Sequence, residues 1–232
     1  MIIKGFRRTS LVDFPGNIVS TVFVAGCNFR CPFCHNPELV FDDPSLKRIS
    51  EREVLGMLEK QRRYIDGVCV SGGEPTMHQD LPDFLVKIKA IGLKVKLDTN
   101  GSNPVMLRML VEQGLVDYIS MDIKSSLDNY SVSAGVKVDV KSILESIAVI
   151  MSSKVDYEFR TTVVPGLFDI DELKSICKEI AGAKGYYLQQ FNPKTSLIDD
   201  KYASVKPFSA DQMREFASFA EKFVQKCDIR NM

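Results

Sequence analysis

Six short apolar segments recur along the chain, and after each comes a stretch with helical periodicity. The segments are Ile18 to Val24, Gly67 to Val70, Leu93 to Leu97, Tyr118 to Ile123, Tyr157 to Val164 and Tyr186 to Phe191. Ser50 to Glu53 reads as a capping box ahead of Val54, Leu55 and Leu58, and Asn103-Pro104 offers an N-cap followed by an N1 proline. Leu173, Ile176, Cys177 and Ile180 form one apolar helical stripe, and Ser209 with Gln212 caps a last helix whose stripe runs through Met213, Phe216, Ala220, Phe223 and Cys227. Apolar strands alternating with helices predict a parallel sheet with right-handed crossovers. Six units are too few to close an eight-stranded barrel. The expected fold is therefore α/β, an open six-stranded parallel (β/α)6 partial TIM barrel, with a flat doubly wound sheet as the alternative. A single domain over 1–232 is expected, with 1–17 an irregular or hairpin lead-in and 18–227 the six units.

In such folds ligands gather at the carboxyl ends of the strands. Four polar features fall there: the cysteine loop after Val24, Ser71-Gly72-Gly73-Glu74-Pro75, Asp98-Thr99-Asn100-Gly101, and Asp122 with Lys124. Turns favour Gly, Asn and Asp in any case. Their shared side of the sheet is the informative part.

The loop from Val24 to Glu38 holds Cys27, Cys31 and Cys34. Zinc would need a fourth ligand in a closed tetrahedron, and His35, adjacent to Cys34, is poorly placed to supply it. Cys31 to His35 also matches the C-x-x-C-H haem attachment pattern, but that leaves Cys27 idle and needs an exported chain. A helix presenting three buried thiols on one face is opposed by Pro32 in its middle and Gly26 at its start. A four-iron cluster normally takes four cysteines. With three, one iron stays open to a ligand that is not protein.

Thirty basic and thirty acidic side chains cancel, so no net field draws nucleic acid or an anionic membrane. Residues 1–8 lack the apolar core of a signal peptide, and no stretch approaches the roughly twenty apolar residues of a membrane span. A cytoplasmic setting is expected, where thiols stay reduced. Cys69, Cys177 and Cys227 then read as small core residues.

C-x-x-x-C-x-x-C followed by a Gly-Gly-Glu turn after the second strand resembles the radical S-adenosylmethionine (SAM) superfamily. Gly5 to Gly16 (G-F-R-R-T-S-L-V-D-F-P-G), Cys27 to Leu39, Ser71 to Thr76 and Leu97 to Gly101 (L-D-T-N-G) look like glycyl-radical-enzyme activases. The nearest resemblance is to activating proteins of anaerobic ribonucleoside-triphosphate reductase, in the branch similar to pyruvate formate-lyase activating enzymes.

The resemblance implies one 4Fe-4S cluster held by Cys27, Cys31 and Cys34, with the fourth iron chelated by SAM. It sets Phe33 beside the adenine, Gly72 and Gly73 against the methionine moiety, and Glu74 as acceptor for its ammonium group. Asp98, Thr99 and Asp122 would offer oxygens to a monovalent cation, while Lys124 and Arg160 would neutralise the cofactor carboxylate. The implied enzyme is an oxidoreductase: one electron from the reduced cluster cleaves SAM to methionine and a 5'-deoxyadenosyl radical, which takes hydrogen from a glycine of a partner enzyme. A flavodoxin or ferredoxin-type reductant is implied as the electron source. Gln189-Gln190-Phe191-Asn192-Pro193 stands where pyruvate formate-lyase activases carry a histidine, and no run of extra cysteines marks a second cluster. A radical enzyme that modifies a peptide or small molecule, an iron–sulfur electron-transfer module and a zinc-stabilised binding protein are the rival readings.

Overall fold

Rows of β-branched residues set the first parallel strand, β2 (Val19–Val24), which is almost wholly buried. The computed structural model describes residues 1–231. The other predicted strands form at β3 (Gly67–Gly72), β4 (Lys94–Thr99), β5 (Tyr118–Asp122), β6 (Asp156–Val163) and β7 (Tyr186–Gln190). All pair in parallel with their sequence neighbours.

Among the described residues the sheet has eight strands in sequence order, not six. The lead-in forms β1 (Ile3–Ser10), antiparallel to β2, so the hairpin alternative holds there. At the other edge β8 (Cys227–Arg230) runs parallel to β7. This moves Cys227 off the helical stripe, because the last helix stops at Ala220 and Cys227 starts a strand. β8 was hidden by its brevity: of C-D-I-R only Cys227 is buried.

Helices cover the outer face: α1 (Pro37–Val40), α2 (Glu51–Gln61), α3 (Leu81–Ala90), α4 (Pro104–Glu112), α5 (Tyr130–Ala134), α6 (Val140–Ser152), α7 (Ile170–Glu179) and α8 (Ala210–Ala220). Both predicted capping boxes form, Ser50 with Glu53 and Ser209 with Gln212. Asn103 caps α4 by accepting from the Met106 N–H, and Asp169 caps α7 by accepting from the N–H groups of Asp171 and Glu172.

The strands β4, β5 and β6 do not read as apolar on both faces. Val95, Leu97, Ile119, Met121 and Phe159 join the hydrophobic core. The residues between them, Lys96, Asp98, Ser120, Asp122, Glu158 and Arg160, alternate onto the opposite, concave face. The sheet curves, since residues of the β1–β2 connection (Val12, Asp13, Pro15) and of β8 (Arg230) line one cavity with Lys96 and Glu158. It stays open, with no pairing between β1 and β8 among the described residues. No helix among the described residues is long and apolar enough to cross a membrane.

Candidate functional site

The cysteine loop leaves β2 through Gly26 at a φ of 87°, a conformation that favours glycine. Its three thiols lie in irregular chain ahead of α1, so the single-helix arrangement does not occur. Backbone hydrogen bonds clamp the loop to three other segments: Gly26 N–H to the Leu39 carbonyl at 2.7 Å, Arg30 N–H to the Ala134 carbonyl at 2.8 Å, and Asp199 N–H to the Pro32 carbonyl at 3.0 Å. Phe29 meets Tyr130 edge-on, with ring centroids 6.3 Å apart. Cys31 is buried, and Cys27 and Cys34 are half-buried. Burial pushes the Cys31 thiol up to about 12, opposed by the nearby Lys124 ammonium. A metal centre would displace that proton as it bound.

The turn after β3 lies directly against this loop. Gly73 N–H donates to the Val24 carbonyl and Glu74 N–H to the Gly26 carbonyl, both at 2.8 Å. A Cβ on Gly73 would come within 1.9 Å of the Gly26 oxygen, and one on Gly72, where φ is 122°, within 2.3 Å of the Val24 oxygen. Both positions require glycine because two backbones touch.

Glu74 is 1% exposed. Its Oε1 accepts from the Thr76 N–H, the Thr76 hydroxyl and the Thr99 hydroxyl, and its Oε2 accepts from the Asn100 N–H at 2.6 Å. Burial raises its carboxyl above the usual range, against the pull of those donors. It is neither an exposed turn carboxylate nor a free acceptor. It ties the β3 turn to the β4 turn, and only Oε2 retains capacity for another donor.

Along the concave face runs a chain of ion pairs. Lys96 bonds Asp98, Arg160 reaches Asp98 at 3.5 Å and Asp122 at 2.8 Å, and Lys124 bonds Asp122 at 3.0 Å. The register explains the central contact, since Asp122 and Arg160 are cross-strand partners. Burial opposes ionisation of Asp122, but Arg160 and Lys124 outweigh it and hold the carboxyl well below the usual range. Asp98 is lowered in the same way by Arg160 and Lys96 against burial. Three cations and two anions leave one surplus positive charge, carried to the rim by Lys124. These are partly buried pairs, not the solvated ones that strand-end charges commonly form. Of the oxygens expected to face a monovalent cation, those of Asp98 and Asp122 are occupied by basic side chains, and the Thr99 hydroxyl donates to Glu74 and accepts from the Gly101 N–H; Asp98 also accepts from the Ser71 hydroxyl.

All twelve residues anticipated from the sequence line one cavity of about 240 Å³: Cys27, Cys31, Cys34, Phe33, Gly72, Gly73, Glu74, Asp98, Thr99, Asp122, Lys124 and Arg160. Asn100 and Thr162, to which the sequence assigns no role, line it as well, and so does Gln189, which the sequence marks only as standing where a histidine occurs in pyruvate formate-lyase activases. Asn100 stands within the L-D-T-N-G string, while Thr162 is obscured because its segment, Tyr157 to Val164, reads as an apolar strand. His35 also borders the cavity, its ring stacked 6.1 Å from that of Phe191.

A model of the radical SAM superfamily matches residues 21–180. The chain belongs to the radical SAM superfamily. A protein of Methanocaldococcus jannaschii assigned as a glycyl-radical enzyme activating enzyme is 28% identical over 100% of this chain and 96% of its own length. The pyruvate formate-lyase 1-activating enzyme of Escherichia coli is 28% identical over 73% of this chain and 70% of its own. Among solved structures, Streptococcus suis SuiB bound to S-adenosylmethionine superposes with a TM-score of 0.69 at 12% identity, over 90% of this chain and 49% of that one. TYW1 with a lysine-pyruvate adduct gives 0.58 at 16% identity, over 88% and 73%. These two likenesses concern the fold.

Radical SAM enzymes use a 4Fe-4S cluster and SAM, and the donor set of this cavity fits both. Three thiols of one loop, with no other cysteine among the lining residues, suit a cluster with one open iron. The surplus cation at Lys124 suits a carboxylate beside it.

Proposed function

We propose that residues 1–232 act as one radical SAM domain that generates a glycyl radical on a partner enzyme, the anaerobic ribonucleoside-triphosphate reductase. The carrying observation is the single cavity shared by the three thiols, the Gly72-Gly73-Glu74 turn and the Asp98 to Lys124 charge chain. In this reading Cys27, Cys31 and Cys34 hold three irons, and Phe33, 4% exposed and on the cavity wall, borders the adenine. Lys124 and Arg160 orient the SAM carboxylate, and the Gly72-Gly73 backbone lets the methionine moiety approach. When bound, cluster and SAM supply a one-electron reductive cleavage whose carbon radical can take hydrogen from a glycine α-carbon. No side-chain acid or base is required.

The choice of reductase over pyruvate formate-lyase rests on Gln189 and Gln190 at the end of β7, where a histidine would favour the lyase. A flavodoxin or ferredoxin-type protein supplies the electron, in a cytoplasmic setting that keeps the thiols reduced.

Anaerobically reconstituted protein, given dithionite and SAM, should form 5'-deoxyadenosine, and Cys31→Ala should form none. Activity retained in that variant overturns the cluster assignment. Mixed separately with each candidate partner, the protein should give the glycyl radical signal in electron paramagnetic resonance on the reductase. A signal on the lyase alone reassigns the partner.

A further inference from the structure

The Cys27 sulfur differs from the other two in its surroundings. It accepts from the Phe29 backbone N–H at 3.4 Å and from the Asn100 side-chain amide at 3.9 Å, within the longer reach of a bond to sulfur. Among the described residues no side-chain donor bonds the sulfur of Cys31 or Cys34. Asn100 is 6% exposed and sits in the turn after β4, far from Cys27 in sequence.

The orientation of this amide is fixed by its other partners. Its Oδ1 accepts from the Ser102 N–H at 2.9 Å, so that end cannot be the NH2 group. One hydrogen of Nδ2 goes to Asn28 Oδ1 at 2.9 Å, and Asn28 in turn donates to the Ser102 hydroxyl at 2.8 Å. The second hydrogen is left for Cys27. Behind it, the Asn100 backbone N–H is held by the buried Glu74, so the residue cannot swing away without breaking that bond.

We propose that Asn100 is a positioning residue for the cluster, its side-chain amide donating to the Cys27 sulfur and thereby raising the reduction potential. The added electron of a reduced cluster increases negative charge on its sulfurs, so a donor aimed at one of them stabilises the reduced form more than the oxidised form. In a water-poor wall the effect is larger than at a surface. The Gly-Gly-Glu turn then has a second consequence, since Glu74 holds the backbone that aims the amide. The inference rests on Cys27, Cys31 and Cys34 being the cluster ligands.

The test is a redox titration of the reconstituted protein followed by electron paramagnetic resonance. Asn100→Ala should hold its cluster and titrate at a more negative midpoint than the wild type, by more than replicate error. Asn28→Ala removes the neighbouring clip but leaves the sulfur donor, so its midpoint should stay at the wild-type value. An unchanged midpoint in N100A, or an equal shift in N28A, overturns the proposal. As a check independent of N100A stability, pulsed resonance on the reduced wild type with 15N in its asparagine amides should show a nitrogen coupling that persists in N28A. Its absence in the wild type also overturns the proposal. A wild type without any 4Fe-4S spectrum instead fails the ligand assignment on which the inference stands.

Discussion

The Asn100 N–H donates to Glu74 Oε2 across 2.6 Å, joining the turns after β3 and β4 through a carboxylate that solvent barely touches. Four donors from Thr76, Thr99 and Asn100 converge on that carboxylate. Its main work is to hold two turns of the rim in register. Recognition of SAM at this point therefore depends on the shape of the turns as much as on the charge of Glu74.

Glu74→Ala strands these donors in a dry pocket, and unsatisfied buried groups cost about 1–3 kcal/mol each before relaxation. We expect a net loss of about 3 kcal/mol in urea unfolding, with weaker SAM binding. Glu74→Gln keeps the shape but sets an NH2 group against an N–H or hydroxyl donor, and should lie between alanine and wild type. Stability of E74A equal to wild type would show that the turns do not need this brace.

Lys124 ends the chain of partly buried pairs and carries its surplus charge, with Asp122 still paired to Arg160 in its absence. Lys124→Met should therefore change stability little but weaken SAM binding by roughly ten- to a hundredfold, the worth of one charge-assisted contact of about 1.5–3 kcal/mol. Calorimetric titration of reconstituted protein with SAM measures it. A collapse in stability with unchanged affinity would make Lys124 a structural partner of Asp122.

The six strands and the rim were legible because β-branched runs, capping boxes and turn glycines are local signals. Ser50 with Glu53 and Asn103-Pro104 each act within a few residues of themselves, and Gly72-Gly73 is visible as a turn signal although the backbones it approaches, at Val24 and Gly26, belong to another strand and its loop. What stayed hidden depends on distant neighbours. The alternation of Lys96, Asp98, Ser120, Asp122, Glu158 and Arg160 onto one face is present in the sequence, yet an ionisable residue in a strand does not announce whether it meets water or a partner. Their pairing follows from the register of β4, β5 and β6. β8 gains its place from seven earlier strands, and Asn100 gains its sulfur contact from a loop on another strand.

Gly73→Ala tests the closeness of two backbones directly. The added methyl would lie 1.9 Å from the Gly26 carbonyl oxygen, with no flexible side chain to yield. Either the β3 turn or the cysteine loop must shift, and the loop carries the thiols. Iron and sulfide per chain after reconstitution should fall well below wild type in G73A. Gly56→Ala, inside α2 with open space around its Cβ and ordinary helical backbone, should load normally and serves as the control for substitution of glycine elsewhere. Full loading in G73A would mean that the loop adapts to the displaced turn.

Glu158 offers a pH-dependent test at the far end of the concave face. It is fully buried and accepts from both Arg230 terminal nitrogens, at 2.6 and 2.8 Å, from the Tyr118 hydroxyl at 2.9 Å and from the Ser120 hydroxyl at 2.7 Å. Burial pushes its carboxyl up, but the Arg230 hydrogen bonds and the charge of Arg160 prevail and hold it below the usual range. A carboxyl lowered in the fold contributes stability that is present above its unfolded value of about 4.3 and is lost as pH falls through the folded one. Arg230→Met reverses the balance, leaving a buried carboxylate with two neutral donors and a carboxyl displaced upward. At neutral pH the variant should be less stable by about 3 kcal/mol, the scale of breaking a buried pair from one side. The deficit should shrink on acidification, because protonated Glu158 no longer needs a cation. Urea midpoints of both chains between about pH 7 and pH 5 read this directly, taken above the range in which the unfolded carboxyl titrates. A deficit that stays constant across that range would trace the loss to Arg230 stacking on Tyr187, 3.7 Å from the ring centre, and not to the charge of Glu158.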